Sequence, residues 1–230
     1  MKLQAFLSEL ESRINKYDLL CHPFYKAWSE GKLTGADLRE YAADYYQHVA
    51  AFPSYLSAFH ARLEDGAMRK AVAENCADEE GIGSADGCSH AELWMDFAAG
   101  FGGSEQDVRG RKSLPEMLNL IAEFRRVARE GSSAEALAAF YAYESQVPRV
   151  AKEKARGLKE MYGADNATCR YFTLHTAADV RHSQVWKDLL SKEVADEASA
   201  TLALDAAEAA AKALWTALDG IERERVSRNG

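Results

Sequence analysis

An all-α fold is what this sequence predicts, a single helical-bundle domain over residues 1–230, and three observations predict it. Alanine, the strongest helix former, fills 41 of the 230 positions, whereas glycine and proline number only 15 and 4. Apolar residues recur at helical spacing almost from end to end, and no stretch alternates with the period of a strand. The gaps between periodic segments are short, with no repeat or low-complexity tract, so the segments belong to one bundle.

The elements follow in order. A first helix covers Leu3 to Lys16. Pro23, at a favourable first-turn position, starts a second that runs to Glu30 and stops at Gly31. Thr34 or Asp37 opens a third, with Leu38, Tyr41, Tyr45, His48 and Phe52 on one face, and Pro53 breaks or kinks it. Helical segments at 55–63 and 67–80 precede a loop rich in turn residues, Gly81 to Cys88. Ser89 caps the next helix, with Glu92 three residues on completing a capping box, and the glycines at 100–103 end it. Later helices cover 114–129, 134–161, 168–192 and 194–225. The last is Ala-rich and amphipathic, and it is expected to pack on the bundle or on a partner subunit of a homodimer.

Charge and composition exclude several classes. Lys and Arg number 28 against 36 Asp and Glu, a net charge of −8. Non-specific nucleic-acid binding and attraction to anionic membranes both need a basic surface. Glu9 and Glu11 interrupt the N-terminus before a secretory core can form, and the longest apolar run, Ala136 to Tyr143, is far short of the roughly 20 residues that span a bilayer. Cys21, Cys76, Cys88 and Cys169 contain no CxxC pair and make no disulfide framework, which fits a cytoplasmic protein. Each reads as a packing residue rather than a nucleophile.

A bundle core should be apolar, so acids and histidines on core stripes are the informative positions. Tyr171, His175, Asp179, His182, Trp186 and Leu189 all lie within about 40° of His175 on a helical wheel. Two histidines and an aspartate on one buried stripe need partners, and a metal satisfies all three at once. On the helix at 67–80, Glu79 lies about 20° from the core residue Val72 and Glu80 about 80° away, so Glu79 points inward and Glu80 outward. His90 starts the stripe of Leu93, Trp94 and Phe97. Glu144 follows Leu137, Phe140 and Tyr141 on another, with a kink expected at Pro148.

Glu79, His90, Glu144, His175, Asp179 and His182 thus form an inward set without thiolates, suited to two divalent ions, iron or manganese before zinc. The paired Glu-x-x-His motifs of ferritin-like sites are missing, so another helical scaffold is required. The competing reading is a set of buried ion pairs, such as Asp179 with His182 or Arg149. His48, on the Tyr41–Tyr45 stripe, reads as a core residue that forms hydrogen bonds.

The stretches Phe24-Tyr-Lys-Ala-Trp-Ser-Glu-Gly, Tyr41-Ala-Ala-Asp-Tyr-Tyr-Gln-His, Ala51-Phe-Pro-Ser-Tyr-Leu-Ser-Ala, Asp78-Glu-Glu, His90-Ala-Glu-Leu-Trp, Tyr141-Ala-Tyr-Glu-Ser-Gln-Val-Pro-Arg, Glu153-Lys-Ala-Arg-Gly-Leu and His175 through His182 carry a resemblance over most of residues 20–190. By them the chain resembles the heme-oxygenase-like dimetal oxidases, within them the chlamydial protein associating with death domains and its bacterial relatives. Residues 102–130 and the C-terminal helix match weakly. The resemblance implies a seven-helix heme-oxygenase-like bundle of the TenA and PqqC type. It also implies a dinuclear iron or iron–manganese centre, held by the six residues above, that activates O2 with an external reductant.

The activity implied is p-aminobenzoate formation for folate, with one of the protein's own tyrosines as precursor. Carried over, that tyrosine is Tyr25, with Tyr41 as a second tyrosine near the site and Lys154 as the amine source. Lys154 lies ten residues past Glu144, about 15 Å along an unbroken helix, so a kink at Pro148 is needed to bring it near. Lys152 and Lys159 read as solvent lysines. The loop between Glu79 and His90 is about four residues longer than in the chlamydial relative, and the host-protein binding in that relative's name is not carried over.

Three other functions remain open from the residues. One is a dimetal oxidase acting on an external small molecule. A second is a non-enzymatic helical interaction module. The third is one of the other activities known on this fold. A thiaminase-like hydrolase would need a cysteine on the helix bearing Glu144, where residues 134–161 have none, and a cofactorless quinone-forming oxidase would not need six metal-type ligands.

Overall fold

A computed structural model of the chain describes residues 2–84 and 87–230. Among them, eleven α-helices and one 3-10 turn account for the regular structure. The helices are α1 Leu3–Asn15, α2 Pro23–Ser29, α3 Gly35–His60, α4 Ala67–Glu79, α5 His90–Gly100, α6 Glu105–Arg109, α7 Pro115–Arg129, α8 Ser133–Glu144, α9 Val147–Met161, α10 Asn166–Glu193 and α11 Glu197–Asn229. The expectation of seven helices is corrected to this number, and the extra segments have local causes.

The expected break at Pro53 does not occur: α3 runs through it to His60. Proline there removes one helical hydrogen bond, a cost of about 3 kcal/mol. Tyr41, Tyr45, Val49, Phe52, Leu56 and Phe59 nevertheless form one buried stripe on both sides of Pro53. Burying each such side chain is worth about 1.5–3 kcal/mol, so the stripe outweighs the lost bond. Thr34 caps this helix and Asp37 returns the bond, a capping box that settles the start at Thr34.

The expected continuous helix at 134–161 is instead two, α8 and α9. Pro148 has no N–H to give the Glu144 carbonyl. Gln146, buried in the gap, donates to the Ala142 carbonyl at 3.3 Å and accepts from the Leu19 N–H at 3.0 Å, holding the break open. The short α6 escaped the periodicity reading because five residues are too few to show a period. Ser89 and Glu92 form their capping box at the start of α5, as expected.

One contiguous core runs from Phe6 to Ile221. Helix α3 packs on α4, α5 and α7, and α10 packs on α5, α8 and α9. The Ala-rich α11 lies on α8, α7 and α1 of its own chain. Buried Ala203, Ala207, Ala210 and Ala211 on α11 meet a helix whose own buried positions include Ala136, Ala138 and Ala139. Small residues on both faces let the two backbones approach closely, which explains the alanine content. No helix among the described residues is long and apolar enough to cross a membrane. The four cysteines are free thiols, and Cys169 is buried.

Candidate metal centre

Four helices bring the six inward residues together. Glu79 is the last residue of α4, and Glu80 beyond it is exposed. His90 is the first residue of α5, Glu144 the last of α8, and His175, Asp179 and His182 lie along α10. All six are buried. They sort into two triads: one donor atom each from Glu79, His90 and His175 lie within 4.8 Å of one another, and so do one each from Glu144, Asp179 and His182. Helix α10 serves both triads. Glu79, His175, Glu144 and Asp179 face a single cavity of about 10 Å3.

The donor set fits two divalent metals. His90 Nδ1 lies 2.8 Å from Glu79 Oε2, and His182 Nδ1 lies 3.4 Å from Asp179 Oδ1. Neither nitrogen makes a hydrogen bond of acceptable geometry, although both are buried. Two imidazole lone pairs aimed at carboxylates without bonding them are what a cation between the groups would satisfy. Three carboxylates and three imidazoles suit iron or manganese.

The ring nitrogens away from the triads are anchored. His175 Nδ1 lies 2.7 Å from the Tyr171 carbonyl, and His182 Nε2 lies 2.9 Å from Asp78 Oδ2, which also pairs with Arg181. Such partners fix the tautomer and direction of a ligating histidine. Burial and the neighbouring Asp179 and Glu79 charges push the Glu144 carboxyl well above the usual range. Burial opposes charge on His182, but the neighbouring Asp179, Glu144 and Asp78 carboxylates outweigh it and lift its pKa to about 9. Of the competing ion pairs, Arg149 does not reach Asp179. It pairs with Asp18 at 2.9 Å on the surface.

Tyr25, Tyr41 and Lys154 form a second cluster. The Tyr25 and Tyr41 hydroxyls are 3.0 Å apart, Lys154 Nζ lies 2.8 Å from the Tyr25 hydroxyl, and it also contacts the Tyr41 hydroxyl. Helix α9, which carries Lys154, begins anew at Val147 and packs on α2, which carries Tyr25. Lys152 and Lys159 face solvent as expected. Lys154 is 5 % exposed and forms no ion pair among the described residues. Burial pushes its ammonium well below the usual lysine range, against the faces of Tyr25 and Tyr41 that lie 4.2 and 4.6 Å away. Burial likewise pushes both phenols well above theirs, keeping them protonated.

A cavity of about 30 Å3 separates the clusters, lined by Tyr25, Tyr45, Tyr143, Lys154 and Tyr171 among others. Tyr143 and Tyr171 also line the cavity between the triads, so these two rings form the shared wall.

His48 corrects an expectation. It is fully buried in the core as expected, but neither ring nitrogen has a hydrogen-bond partner. It is packed among the rings of Tyr45, Phe124 and Tyr143, and burial lowers its pKa to about 3, so it stays neutral. The 81–89 loop retains a positive φ at Gly81, where a Cβ would lie 2.4 Å from the Cys88 backbone. The rest of the expectation for that loop includes residues 85 and 86, which lie outside the described residues.

Sequence reasoning passed over Asn75, Asp78 and Trp186. Asn75 donates to both Glu144 oxygens, at 3.0 and 3.3 Å, and the Trp186 Nε1–H donates to Glu144 Oε2 at 2.5 Å. The signal for Asn75 was available, since it is a polar residue on the buried stripe of α4. Trp186 reads as ordinary core until its partner is known.

A helical bundle with two buried carboxylate–imidazole triads on its inner faces is a scaffold that could hold metal ions. Residues 39–215 match the family described as "Iron-containing redox enzyme", and the chain belongs to it. Among its relatives, the 4-aminobenzoate synthase of Chlamydia pneumoniae is 40% identical over 85% of each chain. That of Nitrosomonas europaea is 37% identical over 96% of this chain and 92% of its own. A Shewanella denitrificans domain of unknown function with a heme oxygenase-like fold superposes with a TM-score of 0.81 at 16% identity, covering 100% of this chain and 96% of that one. At that identity the likeness speaks for the fold alone.

Proposed function

We propose that this protein is a dimetal 4-aminobenzoate synthase that consumes its own Tyr25 and takes the nitrogen from Lys154. In this reading Glu79, His90 and His175 hold one metal and Glu144, Asp179 and His182 the other, iron at one position and iron or manganese at its neighbour. When bound, the metals supply the electron exchange with O2, and an external reductant completes the electron count.

The observation that carries the reading is the contact of Lys154 Nζ with the Tyr25 hydroxyl, 2.8 Å, beside a cavity that both residues line. In 4-aminobenzoate the amine stands para to the carboxyl carbon, and in tyrosine the hydroxyl stands para to Cβ. The Lys154 nitrogen must therefore bond to the ring carbon beside which it sits, with the phenol oxygen leaving as water and the lysine Cε–Nζ bond breaking, while Cβ is cut from Cα and oxidised to the carboxyl at the expense of O2. Burial pushes the Lys154 ammonium well below the usual lysine range, which favours the neutral amine that such a bond requires. Tyr41, hydrogen-bonded to the same hydroxyl, is placed to hold or pass its proton. Tyr25 is held by tilted contact with Phe24 and edge-on contact with Tyr41.

A non-enzymatic interaction module would carry no stoichiometric iron or manganese, so metal analysis of the purified protein separates it. The deciding experiment uses protein labelled with ring-13C tyrosine, loaded with iron and given O2 and reductant. Labelled 4-aminobenzoate is expected, with its yield abolished by Tyr25→Phe and sharply reduced by Lys154→Arg, while both metals stay bound. Normal yields from both variants defeat the reading and favour an external substrate.

A further inference from the structure

We propose that Asn75 and Trp186 are positioning residues that clamp Glu144, making the Glu144–Asp179–His182 position depend on a support that the Glu79–His90–His175 position does not share. The inference rests on the reading that the two triads bind two metals.

The clamp comes from two helices that do not contribute Glu144. Asn75 on α4 is 2 % exposed and spans the carboxylate, 3.0 Å from Oε1 and 3.3 Å from Oε2. Trp186 on α10 is 1 % exposed and adds its indole N–H to Oε2 at 2.5 Å. An ionised carboxylate offers about four acceptor sites. Two donors on Oε2 and one on Oε1 leave Oε1 the less occupied oxygen, so the clamp selects which atom faces Asp179 and His182. Glu144 ends its helix one residue before the chain breaks, so α8 alone constrains it less than an interior position would. The Asn75 carbonyl oxygen has no hydrogen-bond partner, although it is buried. An asparagine held with one end unsatisfied shows that the amide is oriented by its N–H contacts to Glu144. In the other triad, neither Glu79 oxygen accepts a comparable side-chain N–H bond among the described residues, and its carboxylate faces His90.

The test is Mn(II) binding to the metal-free full-length chain, which avoids turnover with O2. Wild type should bind two Mn(II) and show the exchange-coupled electron paramagnetic resonance signal of an adjacent pair. Trp186→Phe keeps the aromatic volume and removes the N–H, and Asn75→Leu keeps the shape and removes the amide. Each should weaken one Mn(II) by about 10- to 100-fold, the range for lost outer partners of a ligand. At one equivalent each should show the six-line spectrum of an isolated ion, with the other affinity unchanged.

In a His175→Ala background, which removes the unclamped position, Trp186→Phe should weaken the single remaining Mn(II) by the same factor. Circular dichroism of the metal-free variants reports folding, and each substitution stands in for the other if one of them unfolds. Wild-type affinities at both positions in the variants overturn the clamp, as does equal weakening at both, which marks general loosening. Fewer than two Mn(II) in wild type overturns the dimetal reading itself, and the clamp with it.

Discussion

Replacing Lys154 with methionine tests whether the buried amine is neutral, the property on which its role as a nitrogen source depends. Methionine matches the length and shape of lysine and removes only the amine. Lys154 is the case of a base whose folded pKa is depressed, so it costs stability wherever the unfolded chain is protonated and the folded chain is not. That cost shrinks as pH rises toward the unfolded value of about 10.4. If the folded amine is neutral, the unfolded lysine binds close to one proton more than the folded one between pH 8.5 and 9.5. The stability of wild type relative to Lys154→Met should therefore rise by about 1.3 kcal/mol over that single unit. Losing the hydrogen bonds to Tyr25 and Tyr41 shifts the variant by a pH-independent amount of about 1 kcal/mol each, which moves the offset and not the slope. The buried tyrosines titrate in both proteins and cancel in the difference. Urea unfolding followed by circular dichroism at pH 7.5, 8.5 and 9.5 gives the numbers. A wild-type-minus-variant difference that stays flat across those values means the ammonium persists in the fold, and the argument for a transferable neutral amine fails.

Three further outcomes follow from the same geometry. His182→Ala should remove metal from its position and abolish product, yet leave the helical circular dichroism intact, since α10 packs through Tyr171, Phe172, Trp186 and Leu190 as well. Full metal content in that variant removes His182 from the ligand set. Gly157→Ala places a Cβ 2.9 Å from the Trp28 ring, itself buried and bonded through Nε1 to the Lys154 carbonyl. Overpacking of about 1–3 kcal/mol should exceed the roughly 1 kcal/mol that alanine adds to a helix, and a variant more stable than wild type in urea contradicts this. Tyr41→Phe should lower the yield of 4-aminobenzoate less than Tyr25→Phe does. Equal loss from both would make Tyr41 an essential participant rather than a proton partner.

Much of this architecture is legible in the residues because its causes are local. Capping boxes at Thr34 and Ser89 act over three residues, and the helical wheel places Glu79 inward and Glu80 outward before any coordinates exist. The same wheel puts His175, Asp179 and His182 on one stripe. Pro53 and Pro148 show the limit. Both are prolines in helical sequence, yet one helix continues and the other divides, because a buried stripe spans Pro53 whereas Gln146 offers the chain alternative hydrogen bonds before Pro148.

Helical class, the inward acids and histidines, and the ends of most helices are thus set by spacing and capping, which depend on neighbours a few residues away. The sorting of six ligand candidates into two triads, the clamp on Glu144 and the meeting of Lys154 with Tyr25 are set by tertiary packing. The clamp and the Lys154–Tyr25 contact join residues 42 to 129 apart in sequence, and their distance is decided by how whole helices rotate and cross. Periodicity reports which face of a helix is buried, but it carries no information about which other face it is buried against.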